Sequence, residues 1–381
     1  MTDLPGLRTP LFDWHVAHGG RIVEFGGWEM PVQYSGIVEE HHAVRKSAGL
    51  FDISHMGRLS FSGLDAEPFL SRLVTCRVDN LVDGQIRYGL MCRDDGGVLD
   101  DILVYRLDPL HFGLVVNASN RDKIVAWIEQ HAASIAPKDH ALDFEFVDQT
   151  TSTSMIAIQG PKALEILSRV ATSKFDLGSL KYYSGCAGFV AGFEAYISRT
   201  GYTGEDGFEI VLSEGTIETT RVWERLLEAG QGDGLLPCGL GCRDTLRLEA
   251  AMPLYGHELS ENVDPLTAGL SFAVKLDKPD FIGRAALTKI KDVPNRPVRV
   301  GLKLASRRIA REHAEVYAGA DRIGEVTSGT FAPTLEQSIA MAYVSPEFAA
   351  VGTAVDVDIR GKREAATVTA LPFYKRPQKS A

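Results

Sequence analysis

Cysteine is scarce in this chain, with 5 residues among 381, at positions 76, 92, 186, 238 and 242. An odd number of widely separated cysteines does not predict a disulfide framework. Cys238 and Cys242 are not followed by a second pair of cysteines or histidines, so their spacing does not predict a zinc site. His41, His42 and His55 also lack further ligands at metal-binding spacing. We therefore expect packing or capping roles for these histidines, and no metal.

Long apolar runs and an excess of basic residues are also missing. No stretch approaches the roughly 20 apolar residues that cross a bilayer. The first residues, MTDLPGLRTPLFDWH, resemble neither a secretory signal nor an organelle transit peptide. A net charge of −10 argues against nucleic acid, because phosphates require a basic surface. We expect a cytoplasmic protein that binds neither membranes nor nucleic acid.

The composition is that of a globular protein, with 45% hydrophobic and 24% charged residues. A chain of 381 residues should form two or three domains. From Val298, short strand-like segments alternate with Gly, Pro and Asp turns, which predicts a small β-barrel or sandwich. We expect a region at 1–276, in which roughly 50–140 form one of two interleaved subdomains, a linker with a short helix at 277–297, and a barrel domain at 298–376.

One strand–helix segment recurs within the first region. Residues 62–75, SGLDAEPFLSRLVT, resemble residues 159–172, QGPKALEILSRVAT. Each segment follows a short strand and has the apolar spacing of an amphipathic helix. We interpret the pair as an internal duplication of a strand–helix–strand unit. The alternative is a chance match between two common helix patterns.

Several other segments have clear periodic patterns. Helices are predicted at 36–49, from Ser119 past Ile128, and at 217–229. Strands are predicted at 87–92, 98–105, 112–117, 188–197 and 207–212.

The strand predicted at 98–105 carries two adjacent carboxylates, Asp100 and Asp101, just after a glycine turn. Apolar residues on both faces are typical of a strand that is covered on both sides. Because successive side chains point to opposite faces, at least one carboxylate should face an enclosed space, where it needs a partner or a chemical task. The alternative is that both lie in solvent at the start of a hairpin strand. Glu209 follows a second glycine turn, and both acids would face one cleft if the halves pack pseudo-symmetrically.

The segment 237–252, PCGLGCRDTLRLEAAM, predicts a helix that begins at about Cys242. Arg243 then lies in the first turn, where the helix dipole opposes a positive charge. This placement makes Arg243 a candidate for ligand binding. The alternative is that Arg243 and Arg247 form salt bridges on a solvated face.

Five motifs in this order resemble the glycine cleavage T-protein family, over nearly the whole chain. They are FGGWEMPVQYSGIVEEHHAVRKSAGLFDISHMG at 25–57, GGVLDDILVY at 96–105, RTGYTGEDGFEI at 199–210, GLGCRDTLRLEA at 239–250 and GEVTSGTFAPTL at 324–335. The resemblance implies an α+β fold in three domains arranged as a cloverleaf. Two α/β folate-binding subdomains and a C-terminal β-barrel would surround a central hole that holds tetrahydrofolate.

The resemblance also implies an aminomethyltransferase of the glycine cleavage system. Its partner would be the H-protein, a lipoyl-bearing carrier protein, and tetrahydrofolate would be its co-substrate. The family's essential Asp matches Asp100, its pterin-binding Glu matches Glu209 rather than Glu205, and its folate-binding Arg matches Arg243. Positions that line or approach the folate match Asn117, Tyr88 and Tyr202.

These residue types suit the chemistry. A carboxylate is a natural bidentate acceptor for the paired N–H groups of a pterin, and Arg offers a planar fork to a carbonyl or carboxylate. Transfer of an aminomethyl carbon passes through a cationic, iminium-like species, which a fixed carboxylate stabilises.

Two other functions fit a similar sequence. One is a tetrahydrofolate-dependent demethylase, which is less favoured because the match runs through to the barrel without a fused oxidase domain. The other is a non-catalytic folate-binding scaffold, whose Lys-Gly-Cys motif is missing from this chain.

Overall fold

The computed structural model describes residues 6–135, 142–213 and 215–377. Two compact units divide the chain. The first unit takes 1–91, 100–201 and 205–242, and the second takes 92–99, 202–204 and 243–381. Within the described ranges, no helix combines the length and the apolar character that crossing a membrane requires.

A seven-stranded sheet forms the centre of the first unit. Its strands, in spatial order, are Ala171–Ser173, Gly185–Val190, Phe193–Ser198, Gly207–Leu212, Ser154–Gln159, Gly49–Asp52 and Leu236–Pro237. Buried residues of these strands, such as Ile156 and Ile210, share one core with Trp223 of the helix Thr216–Gly230. The sheet is therefore covered by a helix whose apolar stripe the sequence predicts.

A five-stranded sheet carries the carboxylate pair. Its strands, in spatial order, are Ile86–Cys92, Val98–Arg106, His111–Val116, Gly57–Ser62 and Glu145–Asp148. The first three are consecutive in the chain and correspond to the strands predicted at 87–92, 98–105 and 112–117. A third sheet, of three strands, contains Leu7–Arg8, Trp28–Gln33 and Arg21–Phe25.

The repeated strand–helix unit is confirmed. In one copy the strand Gly57–Ser62 leads into the helix Ala66–Leu73, and in the other Ser154–Gln159 leads into Ala163–Ser168. Both copies turn at a glycine, Gly63 with φ 140° and Gly160 with φ 135°. A Cβ atom would lie 2.3 Å from a backbone oxygen at Gly63 and 2.4 Å from one at Gly160, so both turns require glycine.

The remaining helices lie between the strands along the chain. They are Phe12–Ala17, Ile37–Lys46, Arg121–Ile135, Leu240–Glu249 and Arg284–Lys291. The helix predicted from Ser119 begins at Arg121, after a 3-10 turn at Ala118–Asn120.

The single strand predicted at 188–197 is wrong. Two antiparallel strands, Gly185–Val190 and Phe193–Ser198, occupy this segment. Ala191 and Gly192 connect them, with φ values of 51° and 89°. Positive φ at both central residues is the conformation of a tight hairpin turn, which an apolar run with one glycine conceals.

The second unit contains a closed six-stranded barrel. Its strands, in order around the barrel, are Val298–Leu304, Gln337–Val344, Asp321–Ala332, Glu315–Ala318, Ala354–Asp358 and Arg363–Thr369. The first strand pairs with both the second and the last, which closes the barrel. The prediction of an α+β fold with a C-terminal β-barrel is confirmed, and the domain bounds stay a prediction.

Candidate active site

The strand Val98–Arg106 places Asp100 and Asp101 in different environments. The side chain of Asp100 is fully buried, whereas Asp101 is half-buried. The alternative of a pair in solvent is therefore wrong for Asp100. The more accessible carboxylate of the pair is Asp101, and the assignment of Asp100 as the essential acid stays a prediction.

Two asparagines hold the buried carboxylate. The backbone N–H of Asn117 donates to Oδ2 of Asp100 at 2.9 Å, and its side-chain amide donates to Oδ1 at 2.8 Å. Asn120 donates its amide to the same Oδ1 at 2.6 Å. These donors lie just past the neighbouring strand His111–Val116, so the sheet itself brings them to the acid.

The half-buried carboxylate shares one of these donors. The amide of Asn117 also donates to Oδ1 of Asp101 at 2.8 Å, and the hydroxyl of Tyr88 donates to Oδ2 at 3.0 Å. Asn117 therefore links two carboxylates that alternation along the strand would otherwise separate. Asp100, Asp101, Asn117 and Tyr88 form one cluster, which we call the aspartate cluster.

The buried acid also has a shifted pKa. Burial, together with the neighbouring charge of Asp101, raises the pKa of Asp100 to about 7, although the Asn120 and Asn117 donors lower it. Two interacting carboxylates titrate as a pair. The aspartate cluster can therefore hold one proton near neutral pH.

Glu209 lies in the first unit, on the strand Gly207–Leu212. Its side chain is 6% exposed, and its Oε2 accepts a hydrogen bond from the Thr200 hydroxyl at 2.5 Å. Glu205, four residues earlier, forms an ion pair with Arg45 at 2.9 Å, and both side chains are buried. Glu205 is thus paired with a cation, and Glu209 accepts a hydroxyl donor.

Arg243 and Tyr202 lie together in the second unit. Arg243 is in the first turn of the helix Leu240–Glu249, as predicted, and is half-buried. Its guanidinium lies 4.8 Å from the ring centroid of Tyr202, within cation–π range. The hydroxyl of Tyr202 donates to the backbone oxygen of Pro253. Tyr202 thus presents its ring to the cation and is held at its far end.

The alternative of salt bridges on a solvated face is wrong for Arg247. Its side chain is 2% exposed and forms an ion pair with the fully buried Glu258 at 2.8 Å. Arg247 also donates to Asp244 at 2.8 Å and to the Ser328 hydroxyl at 2.9 Å. Arg247 is therefore a buried structural residue of the second unit.

Glu40 lies unexpectedly close to the two cysteines. Ligand atoms of Glu40, Cys238 and Cys242 all lie within 4.8 Å of one another, and all three residues are buried. The Glu40 carboxylate accepts backbone N–H groups from Tyr34 at 2.6 Å and from Gly239 at 2.9 Å. These bonds identify Glu40 as a cap for backbone donors. All five cysteines are free and buried.

Two polar residues at the site escaped the sequence-based prediction. Asn120 bonds Asp100, and Thr200 bonds Glu209. The spacing of Asn117 and Asn120 is a possible signal, because residues three apart in a helical turn lie on the same side. Thr200 is nine positions from Glu209 and two residues past the strand Phe193–Ser198, and the pairing of this strand with Gly207–Leu212 brings the two residues together.

Comparison with protein families covers most of the chain. The model of the GCVT N-terminal domain matches residues 11–278. The model of the glycine cleavage T-protein C-terminal barrel domain matches residues 298–375. The first match ends at residue 278, at the start of the segment predicted to be a linker. The second begins at residue 298, directly after that segment.

Curated relatives and a solved structure agree with these matches. An aminomethyltransferase of Desulfitobacterium hafniense is 47% identical over 378 residues, which cover 99% of this chain and 100% of the relative. One of Symbiobacterium thermophilum is 48% identical over 380 residues, 98% of each chain. The crystal structure of glycine cleavage system aminomethyltransferase T from Bartonella henselae has a TM-score of 0.87 and 34% identity, and covers 97% of this chain and 98% of that one. This chain therefore belongs to the glycine cleavage T-protein family of aminomethyltransferases.

Proposed function

We propose that this enzyme transfers the carbon of an aminomethyl group from a dihydrolipoyl-bearing carrier protein, the H-protein, to tetrahydrofolate. The carbon–sulfur bond of the carrier breaks and the sulfur leaves as a thiol. The amino group leaves as ammonia, and the carbon forms bonds to two nitrogens of tetrahydrofolate, which lose their protons. The product is 5,10-methylenetetrahydrofolate. The aspartate cluster is the observation that carries this proposal.

In this mechanism Asp101 contacts the reacting groups. Its half-buried carboxylate is held by Asn117 and Tyr88, so it is fixed before substrate arrives. A fixed carboxylate in a partly enclosed site stabilises an iminium-like carbon without reorganisation and accepts the proton of the attacking amine. The cationic intermediate needs no protein nucleophile.

Asp100, which the family resemblance marks as essential, then acts as a positioning residue. It has no exposed area, but it fixes Asn117 through both the backbone N–H and the side-chain amide. Because Asn117 also bonds Asp101, the protonation of Asp100 affects the charge and orientation of its neighbour.

We propose that Glu209 accepts the paired N–H groups of the pterin. Glu209→Gln should weaken tetrahydrofolate binding by about 1–3 kcal/mol, because the amide leaves one pterin donor facing another donor. Isothermal titration of both proteins with tetrahydrofolate measures this difference.

Glu205→Gln is the matched control for Glu209→Gln. Glu205 is about as buried as Glu209 and is paired with Arg45. Its replacement should therefore lower the melting temperature and leave folate affinity unchanged. An unchanged dissociation constant in Glu209→Gln would remove Glu209 from the site.

We propose that Arg243 binds the pterin carbonyl or a folate carboxylate. Arg243→Lys keeps the charge but loses the planar fork, so folate affinity should fall about tenfold, while the melting temperature of the ligand-free protein changes little. Titration and thermal melts of the same samples test both expectations. A lower melting temperature with intact folate affinity would instead make Arg243 a structural residue.

Release of ammonia from the aminomethylated H-protein tests the function as a whole. Release should be fast with tetrahydrofolate and slow without it. Fast release that does not depend on tetrahydrofolate would contradict the proposal. Consumption of sarcosine with tetrahydrofolate, in the absence of H-protein, would favour the demethylase. We further propose a cytoplasmic location, as the sequence predicts.

A further inference from the structure

Glu40, Cys238 and Cys242 form a second cluster of polar side chains in the first unit, which we call the thiol cluster. Their ligand atoms, one carboxylate oxygen and two sulfurs, all lie within 4.8 Å of one another. Glu40 and Cys242 have no exposed area, and Cys238 is 2% exposed. The proposed transfer reaction uses none of these residues, so their convergence in the interior needs its own explanation.

Two helix N-termini meet at the thiol cluster. Glu40 lies in the first turn of the helix Ile37–Lys46, and Cys242 lies in the first turn of the helix Leu240–Glu249. Cys238 precedes the second helix by two residues. The positive end of a helix dipole favours negatively charged groups, so both termini stabilise a carboxylate and thiolates at this position.

Backbone contacts fix the segment that carries Cys238. Its N–H donates to the carbonyl of Leu50 at 2.8 Å. The next residue, Gly239, donates its N–H to Oε2 of Glu40 at 2.9 Å. A Cβ atom at Gly239 would lie 2.4 Å from the backbone of Val32, so this close packing requires glycine. The ligand atoms of the thiol cluster are therefore held on a rigid frame.

Glu40 keeps acceptor capacity for a further partner. Its Oε1 accepts the N–H groups of Tyr34 at 2.6 Å and Gly36 at 3.2 Å, and its Oε2 accepts the N–H of Gly239 at 2.9 Å. A carboxylate offers about four lone-pair sites, so these three donors leave about one of them on Oε2. Buried charges are usually paired or coordinate a metal ion. Because backbone N–H groups carry no net charge, the carboxylate can also bind a cation.

Both thiols contact neutral oxygen atoms. Sγ of Cys238 donates to the backbone oxygen of Leu236 at 3.4 Å, and Sγ of Cys242 donates to that of Gly239 at 3.4 Å. An S–H group is a weak donor, so these hydrogen bonds are weak. Their exchange for bonds between sulfur and a soft cation therefore costs little.

We propose that the thiol cluster is a structural binding site for Zn²⁺, with Cys238, Cys242 and Glu40 as protein ligands. As the cation binds, each thiol loses its proton to solvent, and two Zn–S bonds and one Zn–O bond form. Thiolates select Zn²⁺ over Mg²⁺ or Ca²⁺. A tetrahedral ion with bonds of about 2.0–2.3 Å holds its ligand atoms roughly 3.5 Å apart, so a small closure of the three side chains is enough. A backbone oxygen or a small ligand completes the fourth position.

The spacing of cysteines and histidines does not reveal this site. Glu40 lies 198 residues before Cys238, and a carboxylate is not part of the usual zinc motifs. The expectation of no metal was based on that spacing alone. The inference is independent of the proposed function, since neither the H-protein nor tetrahydrofolate contributes to it.

The metal content of the full chain tests this inference. The protein is produced in cells supplied with zinc, dialysed against metal-free buffer and analysed by inductively coupled plasma mass spectrometry. An enclosed site binds its metal as the chain folds, so about one zinc per chain should remain after dialysis. X-ray absorption at the zinc edge should show two sulfur ligands at about 2.3 Å.

Two cysteine variants locate the metal. Cys242→Ala removes one ligand and should retain at least about tenfold less zinc, since loss of a supporting group alone costs 10–100-fold in metal affinity. Alanine suits a helix, so this variant should fold. Cys76→Ala is the matched control, because Cys76 is also buried in the first unit but lies outside the thiol cluster. It should retain as much zinc as the parent.

The outcomes of these measurements are distinct. A parent protein without zinc, or with a disulfide between Cys238 and Cys242, overturns the inference. Zinc without sulfur ligands, or equal zinc in Cys242→Ala, indicates an adventitious ion only and also overturns it. If Cys242→Ala does not fold, the X-ray absorption spectrum of the parent decides. Because none of these measurements involves tetrahydrofolate, they leave the test of the proposed function separate.

Discussion

Asp101→Asn is expected to lower the rate of one-carbon transfer about 100-fold or more, because it removes the accessible negative charge at which the cationic carbon develops. Its shape and its place beside Tyr88 and Asn117 are kept, so the dissociation constant of tetrahydrofolate should change only a few-fold. Single-turnover transfer from aminomethylated H-protein measures the rate, and titration measures the affinity. Asp122→Asn, with a side chain 96% exposed, is the control and should behave as the parent.

Asp100→Asn should lower the rate of one-carbon transfer less than Asp101→Asn does. It should, however, change the pH dependence of stability and of activity. The raised pKa of Asp100, about 7, means that the folded protein keeps a proton that the unfolded chain, with an Asp pKa of about 4, releases earlier. Protonation of Asp100 therefore contributes to the free energy of unfolding. This contribution is complete below a pH of about 4 and is lost as the pH rises through about 7. In Asp100→Asn this pH-dependent contribution to the free energy of unfolding should disappear. The change of kcat/KM with pH near 7 should disappear as well.

The two aspartate variants together decide which carboxylate reacts. If Asp100→Asn abolishes transfer while Asp101→Asn is mild, the buried acid is the reacting one, and the assignment made from the family resemblance is correct. Equal losses would indicate that the pair acts as a unit through Asn117.

Arg247→Met is expected to give the largest loss of stability, about 3–5 kcal/mol, because it leaves the carboxylate of Glu258 buried without its cation. Glu258 is fully buried and accepts hydrogen bonds from Thr327 at 2.6 Å and from the backbone of Leu254 at 3.0 Å. Burial alone would raise the pKa of Glu258. The charge of Arg247 and several hydrogen bonds outweigh burial, so the pKa is lowered overall. Urea denaturation of the full chain measures the change in the free energy of unfolding.

Two further variants test whether the loss comes from the buried pair. Arg225→Met breaks an exposed pair with Glu228 and should cost less than about 0.5 kcal/mol. Adding Glu258→Gln to Arg247→Met should recover part of the stability, since the stranded charge is removed. If Arg247→Met lowered the free energy of unfolding as little as Arg225→Met does, the buried ion pair would make no net contribution to stability.

Much of the fold follows from local patterns. The barrel strands, the repeated strand–helix unit and the hairpin that carries Asp100 and Asp101 are all visible as apolar periodicity and glycine turns. Such patterns are readable because burial of one face imposes a period of about 2 on strands and 3.6 on helices. The hairpin at Ala191–Gly192 was missed because its turn lacks the usual polar residues.

The roles within the site depend on contacts between distant segments. The sequence identifies Asp100, Glu209 and Arg243 as chemically interesting residues, but it does not rank two adjacent aspartates. Their burial differs, and burial depends on which strands and loops cover each side chain. Asn120 on Asp100, Thr200 on Glu209 and Glu258 on Arg247 are partners that only strand pairing and packing supply.

Residue types and their periodicity are local properties, so they predict the family, the elements and the kind of chemistry. The exposure and pKa of a carboxylate are set by groups from many parts of the chain. Desolvation and hydrogen bonding act through space and not along the sequence, and for that reason the difference in burial between Asp100 and Asp101 emerges only in the folded protein.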